Sequence, residues 1–304
     1  MGALMYVDEL LEYEQAVGKS PVTRKHHRRI LGHVSNWLES HDIEEEAVRS
    51  VDLVRYINAL GERVSPWEAN NHVAAIRVYF KWMHEEELLP DGKNPALRLK
   101  YRTVPERPVQ SLTSDEVKAL VQYITRRAHR NRFGGYRTSV VALLLLDTGM
   151  RIGEALRLRL EDLDLEASRA VVLSTKTHNF RIAPLSPMMK KHLRRYLRRR
   201  TRRLSRLHVE TDAVFIGENG KPADQSSTQA SFRLLGELAG IRHLHPHLLR
   251  HTFATQCILN GAPLPAVMRL GGWRKLATVQ RYTYINDDVA AEVHAETGPL
   301  SRAR

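Results

Sequence analysis

Residues 140–156 read Val140-Val-Ala-Leu-Leu-Leu-Leu-Asp-Thr-Gly-Met-Arg-Ile-Gly-Glu-Ala-Leu156, and the interpretation of the second half of the chain starts from this stretch. The run from Val140 to Leu146 is apolar on every side, which is typical of a helix buried at the centre of a domain. Gly149 breaks that helix, and Arg151 and Glu154 stand three residues apart on the next predicted helix. The stretch predicts a central buried helix that leads directly into charged side chains.

The first hundred residues predict a small bundle of helices. Ser20-Pro21 and Ser65-Pro66 each place an N-cap residue before a proline at the first helical position. Ser50 and Gly61 bracket a further helix between them. Little in this part of the chain alternates in the way a strand does, so we expect it to be helical throughout.

A linker is predicted at residues 105–110, where Pro105 and Pro108 lie in a stretch without apolar periodicity. Thr113 and Glu116 then form a capping box, which starts a new helix. A length of 304 residues also suits two domains better than one. We therefore expect four parts: a helical domain at 1–104, the linker at 105–110, a second domain at 111–285, and a C-terminal segment at 286–304.

The second domain is predicted to hold a small antiparallel sheet among its helices. Val171 to Ser174 and Phe180 to Leu185 read as two short strands, and Ala213 to Ile216 reads as a third. Further helices are predicted at Ser227 to Leu238, Pro246 to Leu259, Pro263 to Leu270 and Leu276 to Ile285. The expected fold class is mainly α with a small antiparallel β-sheet.

The charge of the chain indicates a polyanionic partner. A net charge of +13 opposes compaction unless a polyanion accompanies the protein, and nucleic acid is the first candidate. Between Met188 and Arg206 the sequence has eight arginines, two lysines and no acid on a predicted helix. This helix could contact phosphates, but a solvated face or a partner-binding surface would have the same composition.

Composition also bears on location. No stretch approaches the roughly 18 apolar residues of a membrane span, and Met1 to Glu14 does not read as a secretory signal. Cys257 is the only cysteine, which excludes an intramolecular disulfide and a cysteine-based zinc site. We expect a cytoplasmic, nucleoid-associated protein with no membrane partner.

Further motifs follow the Arg151 stretch in a fixed order. Lys176 lies at the predicted hairpin tip, in Thr175-Lys-Thr-His-Asn-Phe-Arg181. His247 and Arg250 stand one helical turn apart in His245-Pro-His-Leu-Leu-Arg-His251. The sequence Leu270-Gly-Gly-Trp273 is followed nine residues later by Tyr282.

This order of arginine, lysine, His-x-x-Arg, tryptophan and tyrosine resembles the tyrosine recombinases, or phage integrase family, over residues 111–285. The resemblance implies that residues 1–104 are a helical core-binding domain and that residues 111–285 are the catalytic domain. Together they would form a C-shaped DNA clamp. The sequence is similar to the compact, Xer-like or transposon-associated members of the family.

The resemblance implies a role for each matching residue. Arg151 and Arg250 would clamp the scissile phosphate, Lys176 would protonate the departing 5′ oxygen, and Tyr282 would be the nucleophile. His247 would hydrogen-bond the phosphate and help to take the tyrosine proton. Guanidinium groups suit the charge that grows on the phosphate oxygens in such a reaction.

Two further positions match the family. Glu154 would orient the arginine or histidine network, and Trp273 would contact the phosphate through its indole N–H. The product would be a 3′-phosphotyrosyl link, so no ATP is expected, and no metal is expected because cations of the protein would do the charge work. The implied partners are duplex DNA with paired inverted sites and further protomers in a tetramer on two sites, and the need for an accessory protein stays open. Residues 286–304 would dock on a neighbouring protomer.

Other interpretations stay open from the residues alone. A type IB topoisomerase-like enzyme would share the tyrosine chemistry, and a DNA-binding relative could have lost cleavage. Tyr284 rivals Tyr282 as the nucleophile. His247 and His251 have the spacing of a zinc site, but Leu248 occupies the position of the glutamate in that motif, so His251 and Thr252 are interpreted as packing or orienting groups.

Overall fold

The computed structural model describes residues 3–90, 92–104, 109–126, 132–173, 180–282 and 294–295. The chain divides into two compact units, Met1–Glu106 and Arg107–Arg304. This division falls within the stretch predicted as a linker. Each unit has a hydrophobic core of its own.

The first unit is helical. Its elements are α1 (Val7–Ala16), α2 (Pro21–Glu39), a short 3-10 helix (Glu45–Ala47), α3 (Ser50–Gly61) and α4 (Pro66–Glu85). The predicted caps of α2 and α4 are confirmed, because Ser20 and Ser65 accept hydrogen bonds from the backbone N–H groups of Thr23 and Glu68. At α3 the N-cap is Arg49, one residue before Ser50.

The core of the first unit is built on α4, which packs against α2 and α3. Tyr79 and Phe80 on α4 are fully buried beside Ile30 of α2. The buried ring of His72, also on α4, bonds the Tyr56 hydroxyl at 2.6 Å, and burial lowers the pKa of His72 to about 4.

The second unit combines helices with one small sheet. Its elements are α5 (Ser114–Arg126), α6 (Phe133–Thr148), α7 (Ile152–Leu156), a 3-10 helix (Leu160–Asp162), β1 (Leu163–Asp164), β2 (Arg169–Leu173), β3 (Phe180–Pro184), α8 (Pro187–Leu207), α9 (Gln225–Ala239), α10 (Pro246–Leu259), α11 (Leu264–Gly271) and α12 (Leu276–Gln280).

Helix α6 is the centre of this unit, as predicted, and it packs against α8, α9 and α10. The residues from Val140 to Leu145 are all buried. The capping box ahead of α5 is confirmed by reciprocal bonds between Thr113 and Glu116. Gly149 ends α6 in the left-handed region, with a φ of 63°.

The sheet is antiparallel in the order β1-β2-β3, with Arg169 opposite Pro184 and Leu173 opposite Phe180. This confirms the predicted hairpin, whose tip, including Lys176, lies outside the described residues. The prediction of a strand at Ala213 to Ile216 is wrong. That stretch makes only isolated bridges at its two ends and is apolar because it is buried in the core.

Helix α12 ends earlier than predicted, at Gln280, and Tyr282 lies in the turn that follows it. Tyr284 and the remainder of the predicted helix lie outside the described residues. Over the part of the chain that the structure describes, no helix is both long and apolar enough to cross a membrane.

Candidate active site

The junction between α6 and α7 places the first arginine. At Gly149 an added Cβ would stand 2.4 Å from the Phe253 ring, so this close turn requires glycine. Arg151 is the N-cap of α7, not part of the helix as predicted. The Glu154 carboxylate accepts bonds of 2.9 Å from both the Arg151 backbone N–H and its Nη1. Arg151 is therefore held at both ends by one carboxylate.

Arg250 lies on α10 and is buried, with 4% of its surface exposed. Its Nη1 donates to the Gly149 carbonyl, and its guanidinium carbon stands 4.1 Å from the centre of the Trp273 ring. Its Nη2 is buried without a hydrogen-bond partner among the described residues. Burial and the charge of Arg151 lower the pKa of Arg250 to about 10, so it remains a cation at neutral pH. A buried cation with an unused donor is suited to an anionic oxygen.

A further arginine, Arg181 on β3, has 12% of its side chain exposed and was not among the predicted site residues. Its Nη2 donates to Glu154 and its Nε donates to the Leu270 carbonyl, both at 2.9 Å. Gly272, with a φ of 69°, leaves room for it, because an added Cβ would stand 3.2 Å from Arg181 Cδ. Arg181 thus connects the strand after the hairpin tip to α7 and to the end of α11.

Glu154 is the acid that joins Arg151 and Arg181. Burial alone would raise the pKa of Glu154, but the hydrogen bonds and charges of Arg181 and Arg151 hold this pKa below its usual value. Glu154 is therefore ionised, and it fixes the two guanidinium groups relative to each other.

Arg151, Arg181 and Glu154 border a cleft of about 180 Å³. Arg151, Arg181, Arg269 and Arg274 contribute four positive charges to its lining, and Glu154 contributes one negative charge. The excess of cations makes the cleft a place for a negatively charged group. Trp273 also lines this cleft.

Tyr282 is nearly buried, at 9% exposure, in a small apolar cluster with Phe253, Val267 and Val279. Its ring centre is 5.7 Å from that of Trp273, which carries Arg250 over its face. Burial raises the pKa of Tyr282, and the charges of Arg250, Arg281 and Arg151 offset only part of that rise. The phenol needs a proton acceptor before it can attack anything.

His251 is the candidate proton acceptor, although it was predicted from the sequence to have only a packing or orienting role. Its Nδ1 lies 2.7 Å from the Tyr282 hydroxyl. Burial, and next the neighbouring His247 and Arg250, lower the pKa of His251 to about 4, so the ring is neutral at pH 7. A neutral imidazole can accept the phenol proton. The signal in the sequence was its position, four residues after His247 on one helical face.

His247 lies one turn before Arg250 on α10 and is exposed. Partial desolvation lowers the pKa of His247, and so do the charges of Arg250 and Arg151. Its ring centre is 6.4 Å from that of His251. The structure thus brings Arg151, Glu154, Arg250, Trp273 and Tyr282 together with His247, whereas Lys176 lies outside the described residues.

Comparison with known proteins agrees with this arrangement. Residues 110–288 match the phage integrase family. The chain is 29% identical to tyrosine recombinase XerA of Pyrococcus furiosus over 284 residues, which cover 92% of this chain and 89% of that protein. It is 27% identical to tyrosine recombinase XerC of Oceanobacillus iheyensis, with 97% and 96% covered.

Solved structures of recombinases are also similar to this chain. A crystal structure of XerA recombinase is 28% identical to this chain, with a TM-score of 0.52 and with 97% of this chain and 98% of that chain covered. XerH site-specific recombinase, in a post-cleavage complex with a palindromic difH substrate, shares the fold with a TM-score of 0.76 at 17% identity, covering 93% and 82%. The chain belongs to the phage integrase family, the tyrosine recombinases, as its sequence predicted.

Proposed function

We propose that this chain is a site-specific DNA recombinase that cuts and rejoins strands through Tyr282. The observation that carries the proposal is the environment of that hydroxyl. It is bonded to a neutral histidine and lies beside Arg250, a buried cation that keeps one donor unused among the described residues.

The reaction follows from these groups. The Tyr282 oxygen attacks the scissile phosphorus, a new O–P bond forms, and the bond from phosphorus to the 5′ oxygen breaks. The products are a 3′-phosphotyrosyl link and a free 5′ hydroxyl. Attack by the 5′ hydroxyl of a partner strand reverses the step, so two rounds exchange strands through a Holliday junction.

The protons move between residues of this chain. His251 accepts the phenol proton in the arrangement seen here, with His247 nearby to bond the phosphate. Lys176 supplies the proton to the departing 5′ oxygen, which is the role that its position in the sequence motif implies.

Positive charge stabilises the transition state. Arg250 and Arg151 donate to the non-bridging oxygens, and the Trp273 N–H adds a third donor. Glu154 and Arg181 hold this set in place. We propose that the reaction needs neither metal nor ATP, because arginines do the charge work and the phosphotyrosyl bond stores the energy of the broken link.

The proposed partner is duplex DNA with paired inverted sites. The XerH relative was solved on a palindromic substrate, and the net charge of +13 here suits a polyanion. From the resemblance to the family we also propose tetramer assembly on two sites, docking of residues 286–304 on a neighbouring protomer, and a cytoplasmic, nucleoid-associated location. The relatives named above are recombinases, which disfavours the topoisomerase alternative.

The test is covalent trapping. The protein is incubated, with a chelator present, with nicked duplex fragments of its source genome, in which cleavage releases a short strand and cannot reverse. We expect covalent adducts with the wild-type protein and with Tyr284→Phe, and none with Tyr282→Phe. Sequencing the trapped strands then identifies the target.

Equal adduct yield in Tyr282→Phe would overturn the assignment of the nucleophile. Loss of adducts on chelation alone would overturn the metal-free mechanism. Binding of DNA without any adduct would favour the cleavage-deficient alternative.

A further inference from the structure

Helix α8 presents two different faces. The side that packs into the unit carries Met189, Leu193, Tyr196 and Leu204, and its one buried arginine, Arg200, donates to the carbonyls of Ala213 and Thr211. The opposite side carries an exposed basic face, whose members are Lys191, Arg194, Arg195, Arg198, Arg202 and Arg206. The helix has no acidic residue.

The basic face runs away from the candidate active site. The start of α8 lies at the site end of α6, where the Ser186 N–H donates to Asp147 at 2.9 Å. Its far end lies at the start of α6, where the guanidinium of Arg203 stands 5.2 Å from the Phe133 ring centre. At a rise of 1.5 Å per residue, α6 separates Phe133 from Gly149 by about 24 Å.

The far end of the face forms a cleft. It has a volume of about 440 Å³ and is lined by Phe133, Leu207 and four arginines, which are Arg199, Arg202, Arg203 and Arg206. Arg199 and Arg203 lie over the rings of Tyr136 and Phe133, which hold them in place. Glu218 pairs with Arg203. The cleft therefore has more cations than anions.

The chemistry of the face favours a phosphate backbone over other anions. From Lys191 to Arg206 it extends about 22 Å, the length of about six phosphates along one strand of DNA. Its members are all exposed cations, so it lacks the apolar centre of a protein interface. The apolar side of α8 is packed inside the unit, so it cannot insert into a membrane surface.

We infer that the basic face of α8 is a second DNA-binding surface, which contacts the phosphate backbone about 20 Å from the cleavage site. It adds affinity that depends strongly on salt and takes no part in the reaction. The inference rests on the proposed function only in taking DNA as the partner, since binding can be measured without cleavage.

The experiment measures binding as a function of salt. Arg195, Arg202 and Arg206 are replaced together by glutamine, which keeps helix propensity and removes three exposed charges. The matched control replaces Lys118, Arg159 and Arg169, three exposed cations elsewhere in the same unit, by glutamine. The dissociation constant for a duplex of about six helical turns is measured over a series of salt concentrations, and adduct formation is measured at saturating DNA.

We expect the slope of log affinity against log salt to fall by about 2 to 3 in the α8 variant, at about 0.9 per lost phosphate contact. The control slope should change less, and adduct yield at saturating DNA should stay at the wild-type level. An unchanged slope, or an equal fall in the control, would overturn the inference. If the variant lost binding of poly-glutamate while its salt slope for DNA stayed unchanged, the face would instead be assigned to an acidic protein.

Discussion

The arginines at the two ends of α6 differ in what surrounds them. At the Gly149 end, Arg250 and Arg181 are bonded to backbone carbonyls or to a carboxylate and have little exposure. At the Phe133 end, Arg202 and Arg206 on α8 are exposed to solvent. Both ends are strongly positive, but Arg250 and Arg181 are fixed by these bonds, whereas Arg202 and Arg206 extend into solvent.

This difference corresponds to two tasks. A transition state is stabilised by donors that are already in place, because reorganising them would cost free energy during the reaction. A DNA backbone presents many similar phosphates, so exposed side chains that adjust to it are sufficient for affinity. The enclosed Arg250 and Arg181 therefore suit the reaction, and the exposed Arg202 and Arg206 suit binding.

The largest effect is expected from Arg250→Lys. Lysine keeps the charge, but its single ammonium nitrogen cannot occupy the positions of both Nη1, which bonds the Gly149 carbonyl, and Nη2. We expect the single-turnover rate of adduct formation to fall on the order of a hundredfold to a thousandfold. Arg206→Lys on α8 is the control and should leave that rate unchanged. Equal rates for Arg250→Lys and the wild type would remove the distinction between the two ends.

The next effect concerns stability. Glu154→Gln leaves Arg181, with only 12% of its side chain exposed, beside a neutral partner, and breaking a largely buried pair costs about 3 kcal/mol. We expect the free energy of unfolding of the second unit, from urea titration, to fall by about that amount. Asp164→Asn breaks the exposed pair with Arg169 and should lower this free energy much less, because solvent screens the pair. Equal costs would show that the site arginines are not fixed by burial.

A smaller effect is expected from His251→Gln. Removing the proton acceptor of Tyr282 should slow adduct formation by about a hundredfold. The rate of the variant should also rise more steeply above pH 8 than that of the wild type, because hydroxide must then take the proton. His84→Gln, at an exposed position of the first unit, is the control. A loss of rate with an unchanged pH profile would assign His251 a purely structural role.

The smallest effect is on stability in acid. The pKa of His72 and that of His251 are each lowered to about 4, whereas an unfolded histidine titrates near 6.5. The unfolded chain therefore binds more protons between these values, so this stability is complete above pH 6.5 and is lost as the pH falls towards 4. For the buried His72 the loss at pH 5 is at most about 2 kcal/mol.

Thermal unfolding at pH 7.5 and pH 5 measures this loss in the two units. His72→Gln should reduce the acid sensitivity of the first unit, and His251→Gln that of the second. Replacing arginines of α8 should leave the acid sensitivity of both units unchanged. Acid sensitivity that persists in both histidine variants would contradict the assignment.

Local signals in the sequence predicted the helix starts well. Ser20, Ser65 and Thr113 act within three or four residues of chain, so their hydrogen bonds can be read without knowing the fold. The buried centre of α6 was equally clear, because its apolar run has no polar side.

Contacts between distant parts of the chain were not predictable in this way. Arg181 meets Glu154 across 27 residues, and His251 meets Tyr282 across 31 residues. Each of these side chains alone is an ordinary polar residue, and its partner is set only by the packing of β3, α7, α10 and α12. The strand predicted at Ala213 to Ile216 was wrong for a related reason. Burial and strand formation both favour apolar residues, so an apolar run does not distinguish them.

The position of Trp273 has an optical consequence. The chain has four tryptophans, at positions 37, 67, 82 and 273, and Trp273 is the only one after residue 106. Its ring centre lies 4.1 Å from the guanidinium carbon of Arg250 and 5.7 Å from the ring centre of Tyr282. A chain with phenylalanine at the other three positions would emit tryptophan fluorescence from this place alone, so its emission would report the entry of a phosphate or the departure of the tyrosine in real time.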